Sequence, residues 1–268
     1  MALKDITLGR YIYGVSLLHQ LDPRTKLASI LLIMSGLFIK DSWYPLGIAG
    51  LYTVIAALLS GLPFFYLVRS LTPFKWLIIL TVVLNVLFVG GHILIEAPLP
   101  YGGITAEGLN LGLLYGARIA LLVITASLLT LTTEPVVLVD GVEKLLRPFS
   151  RFGLKPHEIA LAMVITIRFI PVLLDEAVKI RKSQAARGLR PAGMRGNLKS
   201  VSILLLPLFT SAVHRAEDLA TAMESRLFNS GSQRTRYNEI CMTRKDWIVI
   251  AVSLLFVLCM ICPYPLFF

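Results

Sequence analysis

Residues 76–95 form twenty consecutive positions without a charged side chain. A helix of about that length is what crossing roughly 30 Å of hydrocarbon requires, so this run reads as a transmembrane helix. Residues 46–60 and 247–268 are likewise uncharged, and 109–132 is apolar apart from Arg118. Residues 27–39 are apolar over only 13 positions. That span works if Lys26 and Lys40 snorkel to opposite interfaces and Trp43 and Tyr44 join the outer aromatic belt. Composition agrees, with 56% of the chain hydrophobic and 16% charged, a balance typical of polytopic membrane proteins. The expected fold is all-α: about five transmembrane helices plus long cytoplasmic or interfacial helices.

Charge placement sets the expected orientation. Of the 26 Lys and Arg residues, 18 lie between Thr133 and Asp246, with 11 of the 16 acidic residues, giving +7 of the net +10. By the positive-inside rule this stretch is cytoplasmic. Its basic residues are interleaved with aliphatic runs and carry no nucleic-acid motif. Arg24 and Lys26 put the amino terminus on the same side, where Asp22 can cap the first helix. Gly61, Pro63, Arg69 and Lys75 read as a cytoplasmic hairpin, with 62–68 lying along the surface. The loop 96–107 has no Lys or Arg and contains Pro98, Pro100 and Gly102-Gly103, which fits an external loop. The expected organisation is 1–132 as a four-span region, 133–246 as a cytoplasmic coupling-helix region, and 247–268 as a last span. The chain is then a multi-pass protein of the cell membrane, amino terminus inside, carboxyl terminus outside and no cleavable signal peptide.

Two long helices stand out within the charged stretch. A short amphipathic helix from Pro135 ends at Pro148 and Gly153. Pro156 then opens a helix reaching Arg187, roughly 48 Å long at 1.5 Å per residue. Ile159, Met163, Ile167, Ile170 and Leu174 recur at helical spacing, and Pro171 should kink the rod. Beyond it come Asp175, Glu176, Lys179, Arg181 and Lys182, which exclude a bilayer span for the full length. Gly188, Pro191, Gly193 and Gly196 end it. The second helix runs over about 198–228, with Pro207 as its kink and Arg215, Glu217, Asp218, Glu224 and Arg226 in its far half. Both follow one plan: apolar half, proline, charged half, terminal arginine.

Catalysis finds little support. His19, His92, His157 and His214 lack metal-ligand spacing, and no phosphate-cradling Gly-rich loop or Gly-x-Ser-x-Gly is present. Cys259 and Cys262 sit in the last apolar run and read as small apolar residues. Asp175-Glu176 and Glu217-Asp218 read as solvated faces or ion-pair partners. Arg118 interrupts the fourth span, where a charge costs about 2.5–3.5 kcal/mol on insertion scales. It must face protein or water, satisfied by carbonyls in the bundle or touching a partner or moving element. Arg187 lies between Ala186 and Gly188, small neighbours that admit a partner's backbone, while its guanidinium offers five donors in a rigid fork. From the residues alone, a docking point and a solvated helix end both remain open.

Taken together, Leu21-Asp22-Pro23-Arg24-Thr25-Lys26, Arg168-Phe169-Ile170-Pro171, Ala186-Arg187-Gly188 and Glu224-Ser225-Arg226 resemble the transmembrane T component of energy-coupling factor (ECF) transporters. The order and spacing match over nearly the whole chain. The second tip departs from the family pattern, with Ser225-Arg226-Leu227 where Ala-Arg-Gly is frequent. The resemblance implies a non-catalytic subunit with no cofactor of its own. Two cytoplasmic ABC-type ATPases would bind the ATP and receive Arg187 and Arg226, and a substrate-binding S component in the bilayer would capture a vitamin or metal ion. The apolar halves of the long helices would carry that S component. A stand-alone secondary transporter is the alternative; it would need ionisable residues at the bilayer midplane, where only Arg118, with Asn85 as a weak companion, is available.

Overall fold

The structure is a computed structural model that describes residues 11–14, 16–96, 103–188, 193–228 and 242–261. Its order is α1 (Pro23–Leu37), α2 (Trp43–Ser60), α3 (Phe64–Ser70), α4 (Lys75–Phe88), β1 (Ile93–Glu96), β2 (Gly103–Thr105), α5 (Ala106–Thr132), α6 (Pro135–Leu146), α7 (Pro156–Ala186), α8 (Gly193–Ser225) and α9 (Arg244–Ile261). The fold is that of an all-α polytopic membrane protein, to which β1 and β2 add one short antiparallel hairpin. The chain divides into two units. The first comprises residues 9–141 with 240–268, the second 1–8 with 142–239.

In the first unit the bundle core is Ile33, Leu37, Ala49, Val257 and Met260, contributed by α1, α2 and α9. A second cluster joins Leu67 of α3 to Leu128 and Leu131 of α5. Helix α4 lies close against α5, and a glycine stripe permits it. A Cβ on Gly108 would meet Asn85 O at 2.8 Å, one on Gly112 would meet Val82 O at 3.1 Å, and one on Gly116 would meet Val82 Cγ2 at 2.9 Å. Small residues at four-residue spacing let two backbones approach in a membrane, where packing must replace the hydrophobic effect.

Helix starts follow local chemistry. Pro23 occupies the first turn of α1, and Asp22 caps it by accepting from the Arg24 N–H at 2.9 Å. Thr105 caps α5 by accepting from the Gly108 N–H, and its hydroxyl donates to Val89 O. At α9 the Asp246 carboxylate reaches back to the residue before the helix, accepting from the Thr243 N–H at 2.8 Å and from the Thr243 hydroxyl at 2.6 Å.

Three expectations need correction. The hairpin expected at Gly61, Pro63, Arg69 and Lys75 shrinks to the turn at Gly61, whose φ is +65. Arg69 and Lys75 instead lie in a helical run, because α3 buries Leu67 against α5 and continues through a 3-10 turn (Thr72–Phe74) into α4. Phe64–Phe88 thus becomes one apolar stretch of 25 residues. Second, the helix expected over 76–95 stops at Phe88, and the β-branched Ile93 and Ile95 pair with Thr105 and Ile104. Third, Gly193 and Gly196 do not break the chain but begin α8, five residues before its expected start.

Among the described residues, four helical stretches are long and apolar enough to cross a membrane: Trp43–Ser60, Phe64–Phe88, Ala106–Thr132 and Pro156–Ala186. The last qualifies through its apolar first half. α1, with 15 residues, and α9, which opens on Arg244-Lys245-Asp246, do not reach those limits, yet both contribute to the core of the first unit.

Candidate functional site

In the second unit α7 and α8 are long, exposed and largely unpacked. Ala160 is the one buried residue of α7, and no described side chain of α8 is buried. Leu205, Leu206 and Phe209 leave 57%, 72% and 69% of their surfaces uncovered. Both helices run unbroken through Pro171 and Pro207.

The two helices are tied together by an ion pair, Arg215 Nη2 to Glu176 Oε2 at 3.2 Å. Its position is symmetric. Glu176 stands 11 residues before Arg187, and Arg215 stands 11 residues before Arg226. At 1.5 Å per residue each tip extends about 16 Å beyond the tie. Of the acid pairs noted in the sequence, Glu176 is therefore an interhelical partner, whereas Glu217 lies beside His214 on its own helix, 3.5 Å away.

Each tip ends in the same kind of cap. Arg187 is the last half-helical residue of α7, and Gly188 follows at φ +86 with its N–H on Ala185 O. Arg226 holds the equivalent place after α8. Leu227 follows at φ +55, its N–H on Glu224 O, and the Phe228 N–H closes back to Met223 O at 2.9 Å. The pair of bonds at α8 is the Schellman pattern, and the Gly188 bond at α7 is the counterpart of its Leu227 bond. Leucine in that backbone region costs about 1–2 kcal/mol relative to glycine. Ala186, Arg187, Gly188, Ser225 and Arg226 are all exposed. Among the described residues, neither terminal guanidinium has an ion-pair or hydrogen-bond partner.

Arg118 lies in the first unit and is 8% exposed. Its guanidinium donates to the Asp41 carboxylate at 2.7 Å and to Lys40 O at 3.0 Å, with the Tyr115 ring 5.3 Å away. The turn between α1 and α2 thus neutralises it.

A second polar centre lies where α1 begins and α5 finishes. Lys26, 5% exposed, directs its ammonium to Thr132 O (3.2 Å), Thr133 Oγ1 (3.3 Å) and His19 O (3.5 Å). The Asp22 N–H donates to Asp246 Oδ1 at 2.9 Å, joining the starts of α1 and α9. Burial lowers the Lys26 pKa to about 8 against the opposing pull of the Asp246 and Asp22 charges. For Asp246 burial acts upward, but hydrogen bonds from Thr243 and from the Asp22 N–H outweigh it and hold the carboxyl below its usual range. Pro23 fits against α6 because residue 141 is glycine: a Cβ there would meet Pro23 Cβ at 3.0 Å. The Leu21-to-Lys26 segment is therefore a structural clamp, a role that its spacing does not disclose. Among the described residues no group of His, Cys, Asp and Glu is placed to hold a metal ion.

The sequence family described as CbiQ, cobalt transport protein, matches residues 14–237. That interval contains the Leu21-to-Lys26 segment, both prolines and both tips. The energy-coupling factor transporter transmembrane protein EcfT of Thermosediminibacter oceani is 43% identical over 249 residues, covering 91% of this chain and 92% of its own. The protein of the same name from Clostridium kluyveri is 40% identical over 260 residues, or 95% of each chain. That from Bacillus subtilis is 38% identical over 256 residues, covering 94% and 96%. The chain belongs to the CbiQ family of cobalt transport proteins, the family of the transmembrane proteins of energy-coupling factor transporters.

Proposed function

We propose that this chain is the non-catalytic T subunit of an ECF-type importer. It couples ATP hydrolysis by two cytoplasmic ABC-type ATPase subunits to uptake of a vitamin or other micronutrient through a membrane S component. The observation that carries this reading is the pair of matched helix ends. Each presents an exposed arginine 11 residues beyond the Glu176–Arg215 tie. An unpaired guanidinium on a rigid cap is the kind of group that anchors protein interfaces. The ATPases bind the nucleotide, so this chain needs no cofactor. The uncovered apolar residues of α7 and α8 are the surface on which the S component rests, held by shape and apolar contact. Pro171 and Pro207, each depriving its helix of one backbone hydrogen bond, are the points where the rods bend. Amino terminus and tips face the cytoplasm, and the carboxyl terminus faces outward.

The test is Arg187→Ala with Arg226→Ala in the complex reconstituted into proteoliposomes. Truncating an interface arginine often costs about 2–4 kcal/mol, so ATPase retention should fall at least about 30-fold and ATP-driven uptake should cease. Unchanged retention and uptake would refute the docking role. Substrate movement by the isolated chain without any ATPase would favour the secondary transporter instead.

A further inference from the structure

The two tips share a cap and differ in the residue after the arginine. Gly188 has no side chain and sits at φ +86, where glycine is at ease. Leu227 sits at φ +55, and it is the one non-glycine among the described residues with positive φ. Its side chain is 89% exposed, more than any other large hydrophobic residue described. The fold gains neither backbone comfort nor core packing from this leucine. It holds the side chain outward all the same, because the Leu227 and Phe228 N–H groups are both engaged in closing the helix. Strain of this kind persists where the surroundings fix it, and it concentrates at functional positions.

We infer that Leu227 is an apolar anchor that enters a recess on the ATPase subunit receiving Arg226, and that it determines which ATPase surface each tip accepts. The inference rests on the docking reading above. At the Gly188 tip a partner can lie flush against bare backbone, and a surface shaped for that contact has no room for a leucine. At the Leu227 tip the side chain is already positioned, so little conformational freedom is lost on binding. Burying a leucine is worth about tenfold or more in affinity. The two ATPase surfaces are therefore not interchangeable, and the docked complex has a fixed polarity.

The experiment places a photoreactive side chain at Ala185 or at Glu224, equivalent positions of the two caps, in the full complex with both ATPases. The marked ATPase peptide is identified by mass spectrometry. The expected result is a different ATPase peptide from each tip, with about tenfold selectivity. Leu227→Gly should erase the selectivity at the α8 tip, and Leu227→Met should retain it. Leu227→Gly relieves the cap, so its thermal midpoint should be equal or higher, which separates lost recognition from misfolding. The same peptide from both tips, or undiminished selectivity in Leu227→Gly, would overturn this inference alone. No ATPase mark from either tip would overturn the docking reading, and this inference with it.

Discussion

The clamp around Lys26 and the tips around Arg187 and Arg226 use charge in opposite ways. At the clamp Lys26 and Asp246 are buried, and each is surrounded by protein hydrogen-bond partners. At the tips the guanidiniums stand in solvent on well-formed caps. A buried charge must be paired within the chain because an orphaned one is very costly. An exposed one costs little and stays available. On the docking reading proposed above, stability resides in the first region and recognition in the second, so substitutions should separate the two.

The largest effect expected is on function without stability. Arg187→Ala with Arg226→Ala should abolish ATP-driven uptake in proteoliposomes while moving the unfolding free energy of the isolated chain by less than about 0.5 kcal/mol. A large stability loss would erase the contrast between the regions. Asp246→Ala should do the reverse. It strips an acceptor from the Thr243 and Asp22 N–H groups and should cost about 3 kcal/mol, read as a lowered denaturation midpoint in detergent. Gly112→Ala, which sets a methyl 3.1 Å from Val82 O, should cost about 1–3 kcal/mol; an unchanged midpoint would show that the α4–α5 seam yields easily.

The pH response sharpens the clamp further. The folded pKa of Lys26 is about 8, below the ordinary 10.5. The unfolded chain therefore holds more protons between those values, and this group's contribution to stability rises as pH climbs from 8 to 10.5. Wild type measured against Lys26→Met at pH 7, 8, 9 and 10 should show a gap that shifts in favour of wild type above pH 8. A constant gap would mean that Lys26 titrates normally. The smallest effect belongs to Glu176→Gln. Its pairing with Arg215 is partly exposed, with side-chain exposures of 26% and 40%, so the loss should stay within about 1 kcal/mol by thermal denaturation.

Local rules that leave marks in the sequence were readable. Pro156 and the Gly188 cap bracket α7, Asp22 caps α1, and the apolar run after Leu109 belongs to α5. The glycines at 108, 112 and 116 were not legible as a packing stripe, because the close approach of α4 that gives them meaning appears only in the tertiary structure. Other features depend on contacts remote in sequence. The α3 helix is anchored by Leu67 against Leu128 and Leu131 across the bundle. Asp41 cannot be assigned to Arg118 from a separation of 77 residues. Gly193 and Gly196 illustrate the limit of propensity, since glycine disfavours a helix by only about 1 kcal/mol per residue. Leu227 is illegible for a related reason: leucine seldom adopts positive φ, so no sequence rule places it there.

The equal distances from the Glu176–Arg215 tie to the two helix ends have a mechanical corollary. Scissors with matched blades offer neither blade an advantage in leverage. With the tie as fulcrum, closing draws both tips through the same stroke, so any asymmetry in the work done must originate at the very ends, in the difference between Gly188 and Leu227 and in what each end grips.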